Sequence, residues 1–212
     1  MALLVSEIFH SIQGESSYAG YPCAFVRLSG CNLRCSYCDA KYSYTGGKEM
    51  APAQVLAALT DFGCPLVEVT GGEPLLQAET PRLIEDLVGL GLTVLVETNG
   101  SQDIGPLSPG CIAIVDFKCP GSGCAEANDL DNFGRLRPRD ELKFVLGGRA
   151  DYDFAGDLLA AHPQPGRTVH FQPVFGVLHP KTLAAWILKD RLPVRLSLQL
   201  HKYIWHPKAK GV

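Results

Sequence analysis

Short apolar segments alternate with amphipathic ones along most of this chain, and that order constrains the fold more than any other feature. Strands are predicted at about 2–9, 23–28, 66–70, 92–97, 111–117, 141–146, 168–174 and 194–200, and helices at 52–62, from Thr80 onward, 151–161 and 180–190. Alternating strands and helices with short connections predict an α/β fold with a mainly parallel sheet. About six core strands with so few helices fall short of a complete eightfold barrel.

Polar residues follow the apolar segments at the carboxyl ends of six predicted strands. They are Arg27, Thr70, Glu97, Asp116 with Lys118, Gln172, and Gln199 with His201. The carboxyl ends of parallel strands meet at one edge of a sheet, where the connecting loops converge. One polar strand end has little meaning, but six on the same edge predict a functional site there.

The composition is that of an ordinary globular protein with one domain. The chain has 212 residues, 46% of them hydrophobic, and a formal net charge of −3. This charge offers no basic face for nucleic acid, and no run approaches the roughly 20 apolar residues needed to cross a bilayer. We therefore expect a cytoplasmic protein that binds neither nucleic acid nor membrane. In that compartment the eight cysteines are expected to be ligands or core residues, without disulfides.

Three cysteines lie within eight residues, in the spacing C-x3-C-x2-C. Cys31, Cys35 and Cys38 have no fourth cysteine or histidine close behind them. Three thiolates leave one position of a four-iron cluster open, as catalytic metal sites do. The alternative is a structural zinc site with a remote fourth ligand. Zinc knuckles usually use two C-x2-C pairs and no second pair exists here, so the spacing favours iron–sulfur. The other cysteines, Cys119 and Cys124 among them, are interpreted as core or spectator residues.

The cysteine motif, with Tyr37 before its last cysteine, resembles the signature of the radical S-adenosylmethionine (SAM) superfamily. G-G-E-P at 71–74, E-T-N-G at 97–100 and Gln172 followed by proline lie where that superfamily contacts SAM, although each is also compatible with an ordinary turn. The resemblance implies a [4Fe-4S] cluster on the three cysteines and a single radical SAM domain over residues 1–212. It implies SAM contacts at Tyr37, Asp39, Gly71, Gly72, Glu73, Glu97, Asp116, Lys118 and Gln172.

The remaining motifs resemble one family within that superfamily, the 7-carboxy-7-deazaguanine synthases. The likeness lies in F-H-S-I-Q-G-E at 9–15, Arg27, C-N-L-R-C-S-Y-C-D at 31–39 and L-Q-L-H-K at 198–202, and it spans nearly the whole chain. The family has a trimmed barrel, so we expect a partial TIM-like barrel with a reduced set of helices. The resemblance also implies a homodimer and a one-electron reductant protein of the flavodoxin or ferredoxin type.

This family resemblance implies conversion of 6-carboxy-5,6,7,8-tetrahydropterin to 7-carboxy-7-deazaguanine, by radical ring contraction with loss of ammonia. The implied substrate contacts are Ile12, Gln13, Gly14, Glu15, Arg27, Thr70 and His201. An amide and a carboxylate suit the donor and acceptor edge of a pterin, and a guanidinium suits its carboxylate. Arg27 is equally compatible with a structural ion pair, and His201 with a surface position.

One position departs from the family pattern. The family usually has Thr or Ser directly after the motif, where the hydroxyl binds a catalytic Mg²⁺, but here the residue is Ala40, which has no donor oxygen. No magnesium ligand is therefore assigned, although the family implies the ion. Two other functions remain open. One is a radical SAM activase that places a glycyl radical on a partner protein, and the other is a non-catalytic zinc or iron–sulfur protein.

Overall fold

The computed structural model describes residues 2–212, and all nine of its strands belong to one sheet. They are β1 (Leu3–Ile12), β2 (Pro22–Leu28), β3 (Lys48–Met50), β4 (Leu66–Gly71), β5 (Thr93–Thr98), β6 (Ile112–Asp116), β7 (Glu141–Leu146), β8 (Val169–Pro173) and β9 (Arg195–Leu196). Their order across the sheet is β3-β1-β2-β4-β5-β6-β7-β8-β9. The edge strands β3 and β9 do not pair with each other, so the sheet is an open, partial barrel, as predicted.

The sheet is parallel from β2 to β9, and only β1 runs in the opposite direction, because it pairs antiparallel with both β2 and β3. The parallel part has seven strands, one more than the predicted core. The strand predicted at 194–200 is too long, because only Arg195–Leu196 pairs with β8. The chain then leaves the sheet, and the Leu200 amide donates to the carbonyl of Gly14, 2.9 Å away.

The helices are few, and the four longest cover the outer face of the sheet. They are α1 (Pro52–Thr60), α2 (Thr80–Gly89), α3 (Asn132–Arg135), α4 (Arg149–Ala161), α5 (Pro180–Asp190) and α6 (His201–Ile204). α1, α2 and α5 each have proline in the first turn, where its missing N–H costs no hydrogen bond. The stretch 118–140 was predicted to be irregular, and its longest helix is the four-residue α3. None of these helices has the length and apolar content that a bilayer crossing requires.

The two faces of the parallel strands differ in chemistry. In β7, Leu142 and Phe144 are fully buried in the apolar core, whereas the alternate residues Lys143 and Val145 line a cavity. β4 repeats this division, with Val67 and Val69 in the core and Glu68 on the cavity side. Successive side chains of a strand point to opposite faces. The inner face of the open barrel is therefore polar, and the outer face is packed.

Two adjacent glycines fix the end of β4 against the start of the cysteine loop. The Gly72 amide donates to the carbonyl of Leu28 at 3.0 Å, and the Glu73 amide donates to that of Gly30 at 2.8 Å. A Cβ at Gly71 would overlap the Leu28 carbonyl oxygen, and one at Gly72 the Gly30 carbonyl oxygen. Gly71 also has φ +155, which disfavours any side chain. The two backbones approach this closely only because neither residue has a side chain.

We expect Gly72→Ala to lower the free energy of unfolding by about 1–3 kcal/mol, because the added methyl group meets backbone that cannot rotate away. The matched control is Gly156→Ala in α4, where nothing lies within 4 Å of the added Cβ. That change should be neutral or stabilising by up to about 1 kcal/mol, since alanine favours helix. Urea unfolding of both variants measures the difference. Equal stability of the two variants would contradict this role of Gly72.

Candidate active site

The carboxyl edge of the sheet opens into a cavity of about 700 Å³. Its lining includes every polar residue predicted at the strand ends: Arg27, Thr70, Glu97, Asp116, Lys118, Gln172, Gln199 and His201. Cys31, Cys35 and Cys38 line the same cavity. These residues therefore line one cavity, and their role as a functional site stays a prediction. The volume is within the range of small-molecule and cofactor pockets.

The three cysteines of the motif are free thiols that line the cavity. The Leu33 amide lies 3.4 Å from the Cys31 sulfur, and the Asn99 side-chain amide lies 3.8 Å from it. Tyr44 is close to all three thiols: burial raises the pKa of its phenol most, and Cys38, Cys35 and Cys31 add to the rise. The loop therefore brings the three sulfurs together around a common space.

This donor set fits an iron–sulfur cluster. Within residues 2–212, no three Cys, His, Asp or Glu side chains are close enough to hold one metal ion. A four-iron cluster is wider than one ion, so its ligands lie further apart. The N–H groups directed at the Cys31 sulfur are of the kind that tune such clusters.

Cys124 interacts with the motif cysteine Cys35, which the spacing of the cysteines did not indicate, although it does not line the cavity. Burial raises the pKa of Cys35 to about 12 against the opposing charge of Lys118, and a hydrogen bond with the Cys124 thiol adds to the rise. The loop before Cys124 is held to the cysteine loop by the Ser36 hydroxyl, which donates to the Gly121 carbonyl at 2.8 Å. Cys119, in contrast, is fully buried in the core, as interpreted.

Glu73 stands behind the cavity wall. Its carboxylate is fully buried and accepts hydrogen bonds from the Leu75 amide, the Thr98 hydroxyl and the Asn99 amide, at 2.7–3.0 Å. Gly71, Gly72, Thr98 and Asn99 line the cavity, but Glu73 does not. In this arrangement Glu73 fixes the E-T-N-G turn, and its implied contact with SAM stays a prediction.

Two other predicted SAM contacts, Asp116 and Gln172, each have an acceptor atom without a hydrogen-bond partner. One oxygen of Asp116 and the amide oxygen of Gln172 are buried without a hydrogen-bond partner in the described chain. Buried acceptors are rarely left unpaired, and both residues line the cavity. The hydroxyl and amino donors of SAM suit such acceptors. Tyr37, Asp39 and Ala40 also line the cavity, and the Tyr37 hydroxyl donates to the Val145 carbonyl.

Lys143 is the centre of a buried ion network that sequence analysis missed. Its ammonium group pairs with Glu15 at 2.8 Å, with Glu97, and with Asp116 at 3.7 Å. Burial acts to raise the pKa of Glu15, but the charge of Lys143, the nearby His201 and hydrogen bonds from Lys143 and Gln199 outweigh it, and that pKa is lowered. Burial raises the pKa of Glu97, and Lys143 offsets part of that rise. The sequence did contain one indication of this network, a lysine inside the mainly apolar strand E-L-K-F-V-L.

Gln13 and Glu68 form a second buried pair. The Gln13 side-chain amide donates to Glu68, and its oxygen accepts from the Glu15 amide at 3.1 Å. Burial, and after it the charge of Glu97, raises the pKa of Glu68 to about 8. Glu68 was not predicted as a site residue. The cavity is also lined by four residues that were predicted as substrate contacts: Ile12, Gln13, Gly14 and Glu15.

His201 packs directly on Gly14. A Cβ at Gly14 would overlap its ring, so glycine is what admits the imidazole here. Nearby, Lys202 pairs with Asp39 at 2.6 Å, and Gln199 donates to Glu15 at 2.9 Å. The segment 206–212 also lines the cavity. The structure therefore places His201 at the site rather than at an unrelated surface.

Arg27 makes the structural ion pair, and its contact with a substrate carboxylate stays a prediction. Its Nε donates to Glu7 at 2.7 Å, which is the ion pair. Tyr42 also interacts with the guanidinium, but neither terminal nitrogen pairs with a carboxylate within residues 2–212, and the residue lines the cavity. The two terminal nitrogens are the pair that binds a carboxylate in bidentate fashion. The ion pair thus orients the guanidinium and leaves its far edge available.

Comparison with known proteins identifies close relatives. The family model of the radical SAM superfamily matches residues 25–105. The 7-carboxy-7-deazaguanine synthase of Chlorobaculum tepidum is 48% identical, over 99% of this chain and 97% of that protein. The enzyme of the same name from Koribacter versatilis is 43% identical, over 98% of this chain and 99% of that protein.

Solved structures show the same fold. The crystal structure of QueE from Escherichia coli matches with a TM-score of 0.80 and 23% identity, over 95% of both chains. Streptococcus suis SuiB matches more distantly, with a TM-score of 0.56 and 10% identity, over 80% of this chain and 47% of that one. At these identities the structures support the fold alone.

The raised pKa of Glu68 predicts a pH-dependent stability. Between pH 4.5, the usual value, and about 8, the folded protein keeps a proton on Glu68 that the unfolded chain releases. The free energy of unfolding should therefore fall as pH rises through this window. The side chain of Glu68→Gln cannot titrate. Between pH 5 and 8.5 the free energy of unfolding of wild type should therefore fall by on the order of 1–3 kcal/mol relative to that of Glu68→Gln.

Urea unfolding at several pH values measures this difference. The control is Glu85→Gln, at an exposed carboxylate of α2. That variant should follow the wild-type pH dependence. Parallel curves for wild type and Glu68→Gln would show that Glu68 is ionised in the fold at neutral pH, against the prediction.

Proposed function

We propose, from the premise that the chain belongs to the 7-carboxy-7-deazaguanine synthase family of radical SAM enzymes, that it makes 7-carboxy-7-deazaguanine from 6-carboxy-5,6,7,8-tetrahydropterin. The reaction is a radical ring contraction with loss of ammonia, a step of queuosine and 7-deazapurine biosynthesis. One observation carries the proposal. The three motif cysteines and the polar residues suited to a carboxylated pterin line a single cavity.

The residues at one end of the cavity hold the cofactors in this proposal. Cys31, Cys35 and Cys38 bind the [4Fe-4S] cluster through their thiolates, and SAM lies against Tyr37, Asp39, Gly71, Gly72, Glu97, Asp116, Lys118 and Gln172. When bound, these groups supply an electron and a radical that abstracts hydrogen from the substrate. Glu73 supports SAM by fixing Thr98 and Asn99, to which it is hydrogen bonded.

The residues at the other end bind and orient the pterin. The terminal nitrogens of Arg27 bind its carboxylate, since they pair with no carboxylate within the described residues and Glu7 fixes the guanidinium. Glu15, kept ionised by Lys143, accepts from the N–H groups of the pterin ring. Ile12, Gln13, Gly14, Thr70 and His201 complete the contact. The lining segment 206–212 keeps water away from the bound ligands.

The donor groups around position 40 do not fit magnesium. Ala40 has no side-chain oxygen, and one oxygen of the neighbouring Asp39 carboxylate is already engaged by Lys202 at 2.6 Å and Gln199 at 3.2 Å. Magnesium requires oxygen ligands in a near-octahedral arrangement. We therefore assign no residue of this chain to the ion. Assays with and without Mg²⁺ show whether the reaction uses it.

The partners in this proposal follow from family membership. They are a one-electron reductant protein of the flavodoxin or ferredoxin type and a second copy of the chain in a homodimer. Light scattering on the purified protein measures the second of these directly.

The deciding experiment is anaerobic incubation of the reconstituted protein with reductant, SAM and 6-carboxy-5,6,7,8-tetrahydropterin, followed by mass spectrometry. We expect 7-carboxy-7-deazaguanine in wild type and none in Cys35→Ala, which loses a cluster ligand. Deoxyadenosine without the deazaguanine would leave a radical SAM enzyme with another substrate, such as an activase. A colourless protein containing zinc would remove the radical chemistry altogether.

Arg27→Lys should raise KM for the pterin about 10- to 100-fold, because an ammonium group can pair with Glu7 but cannot also bind the carboxylate in bidentate fashion. Steady-state kinetics with varied pterin at saturating SAM measure the effect. Arg149→Lys, at an exposed arginine of α4 that pairs with Asp153, is the matched control and should leave KM unchanged. An unchanged KM in Arg27→Lys would indicate that Arg27 serves only its ion pair with Glu7.

A further inference from the structure

Lys143 lies in the middle of β7, between two residues that pack in the hydrophobic core. Leu142 and Phe144 are fully buried, and only 4% of the Lys143 side chain is exposed. Burying an ammonium group is costly unless it is paired and hydrogen bonded. A hydrophobic side chain would fill the same space at lower cost, so the charge needs an explanation beyond packing.

The partners of Lys143 come from three separate parts of the sheet. Glu15 follows β1, Glu97 lies near the end of β5, and Asp116 ends β6. Asp116 has a second cation, Lys118, at 2.7 Å. Glu15 and Glu97 have no other cationic partner within 4 Å in the described chain. These two carboxylates therefore depend on Lys143.

Lys143 stands between the two ligand sites. Glu15 belongs to the proposed pterin site and Glu97 to the proposed SAM site, and one ammonium group bonds to both. The groups that face Glu15 from neighbouring elements are Lys143, His201, Gln172, Gln199, Asp39, Glu68 and Glu97. Among them, only Lys143 holds a positive charge against the carboxylate at neutral pH, so its loss would leave like charges together.

We propose that Lys143 is a positioning residue that holds Glu15 and Glu97 as a fixed pair, so that the pterin and SAM sites keep their geometry relative to each other. This inference rests on the proposed function for the identity of the two ligands. It adds a cavity-lining residue that acts through the two carboxylates it pairs with. The expected signature is coupled loss at both sites when the ammonium group is removed.

The test is Lys143→Met, which keeps the length of the side chain and removes its charge. Binding is measured without turnover, using fluorescence of 6-carboxypterin for one site and calorimetry with SAM for the other. We expect about 10- to 100-fold weaker binding of 6-carboxypterin, and weaker SAM binding. Lys143→Arg, which keeps the charge, should retain most of both affinities. Lys189→Met, at an exposed lysine of α5, should bind like wild type.

The pH dependence separates positioning from packing. In wild type Glu15 stays ionised, so titration of other groups, Glu68 among them, sets the pH dependence of 6-carboxypterin binding. The profile to compare is therefore the ratio of variant to wild-type affinity between pH 6 and 8. In Lys143→Met burial acts on Glu15 without the opposing cation, so its pKa rises and binding should weaken as pH falls. A residue that only fills space would leave this profile flat.

A second variant keeps the test decisive if Lys143→Met does not fold. Lys143→Met combined with Glu97→Gln removes one charge of each sign, so the net charge of the network is unchanged. It should fold, as measured by circular dichroism, and still bind 6-carboxypterin weakly with the altered pH profile. Wild-type affinity and a flat profile in whichever variant folds would overturn the inference. Failure of wild type itself to bind 6-carboxypterin would instead count against the proposed function.

Discussion

One ammonium group allows three carboxylates to share the interior of this protein. Glu15, Glu97 and Asp116 all reach Lys143, and without a cation their burial together would force protons onto them. Glu68, which is further from that cation, illustrates the alternative, since its pKa is raised to about 8. The polar inner face of the barrel, and hence the cavity it surrounds, depends on this balance of charge.

Close packing against glycine backbone is the second constraint, and it operates at two places around the cavity. Gly72 lets the end of β4 bond to the start of the cysteine loop, and Gly14 lets the ring of His201 lie on the chain after β1. In each case a missing side chain joins segments that are distant in sequence. The glycines are thus part of how the site is built, in addition to any contact with a ligand.

The fold and the edge of the sheet with the candidate site could be predicted from the sequence, because both follow from local patterns. Apolar strands alternate with amphipathic helices, polar residues follow the strands, and parallel strands end at the same edge. The sequence did not predict Lys143 or Glu68, whose meaning depends on partners such as Glu15 and Gln13, 128 and 55 residues away. The same holds for Cys124, which no spacing rule connects to Cys35. The strand at 194–200 was too long because the link from Leu200 to Gly14 overrides its local preference.

Hydrogen-bond accounting divides the site residues into two groups. Gln13 and Glu73 use their side-chain groups inside the protein, on Glu68 and the Glu15 amide in one case and on the E-T-N-G turn in the other. Asp116 and Gln172 each keep a buried oxygen without a partner in the described chain. An unpaired buried atom is costly, whereas a satisfied one is not. The second group therefore has the most to gain from a ligand, and the first group serves mainly to hold the wall in place.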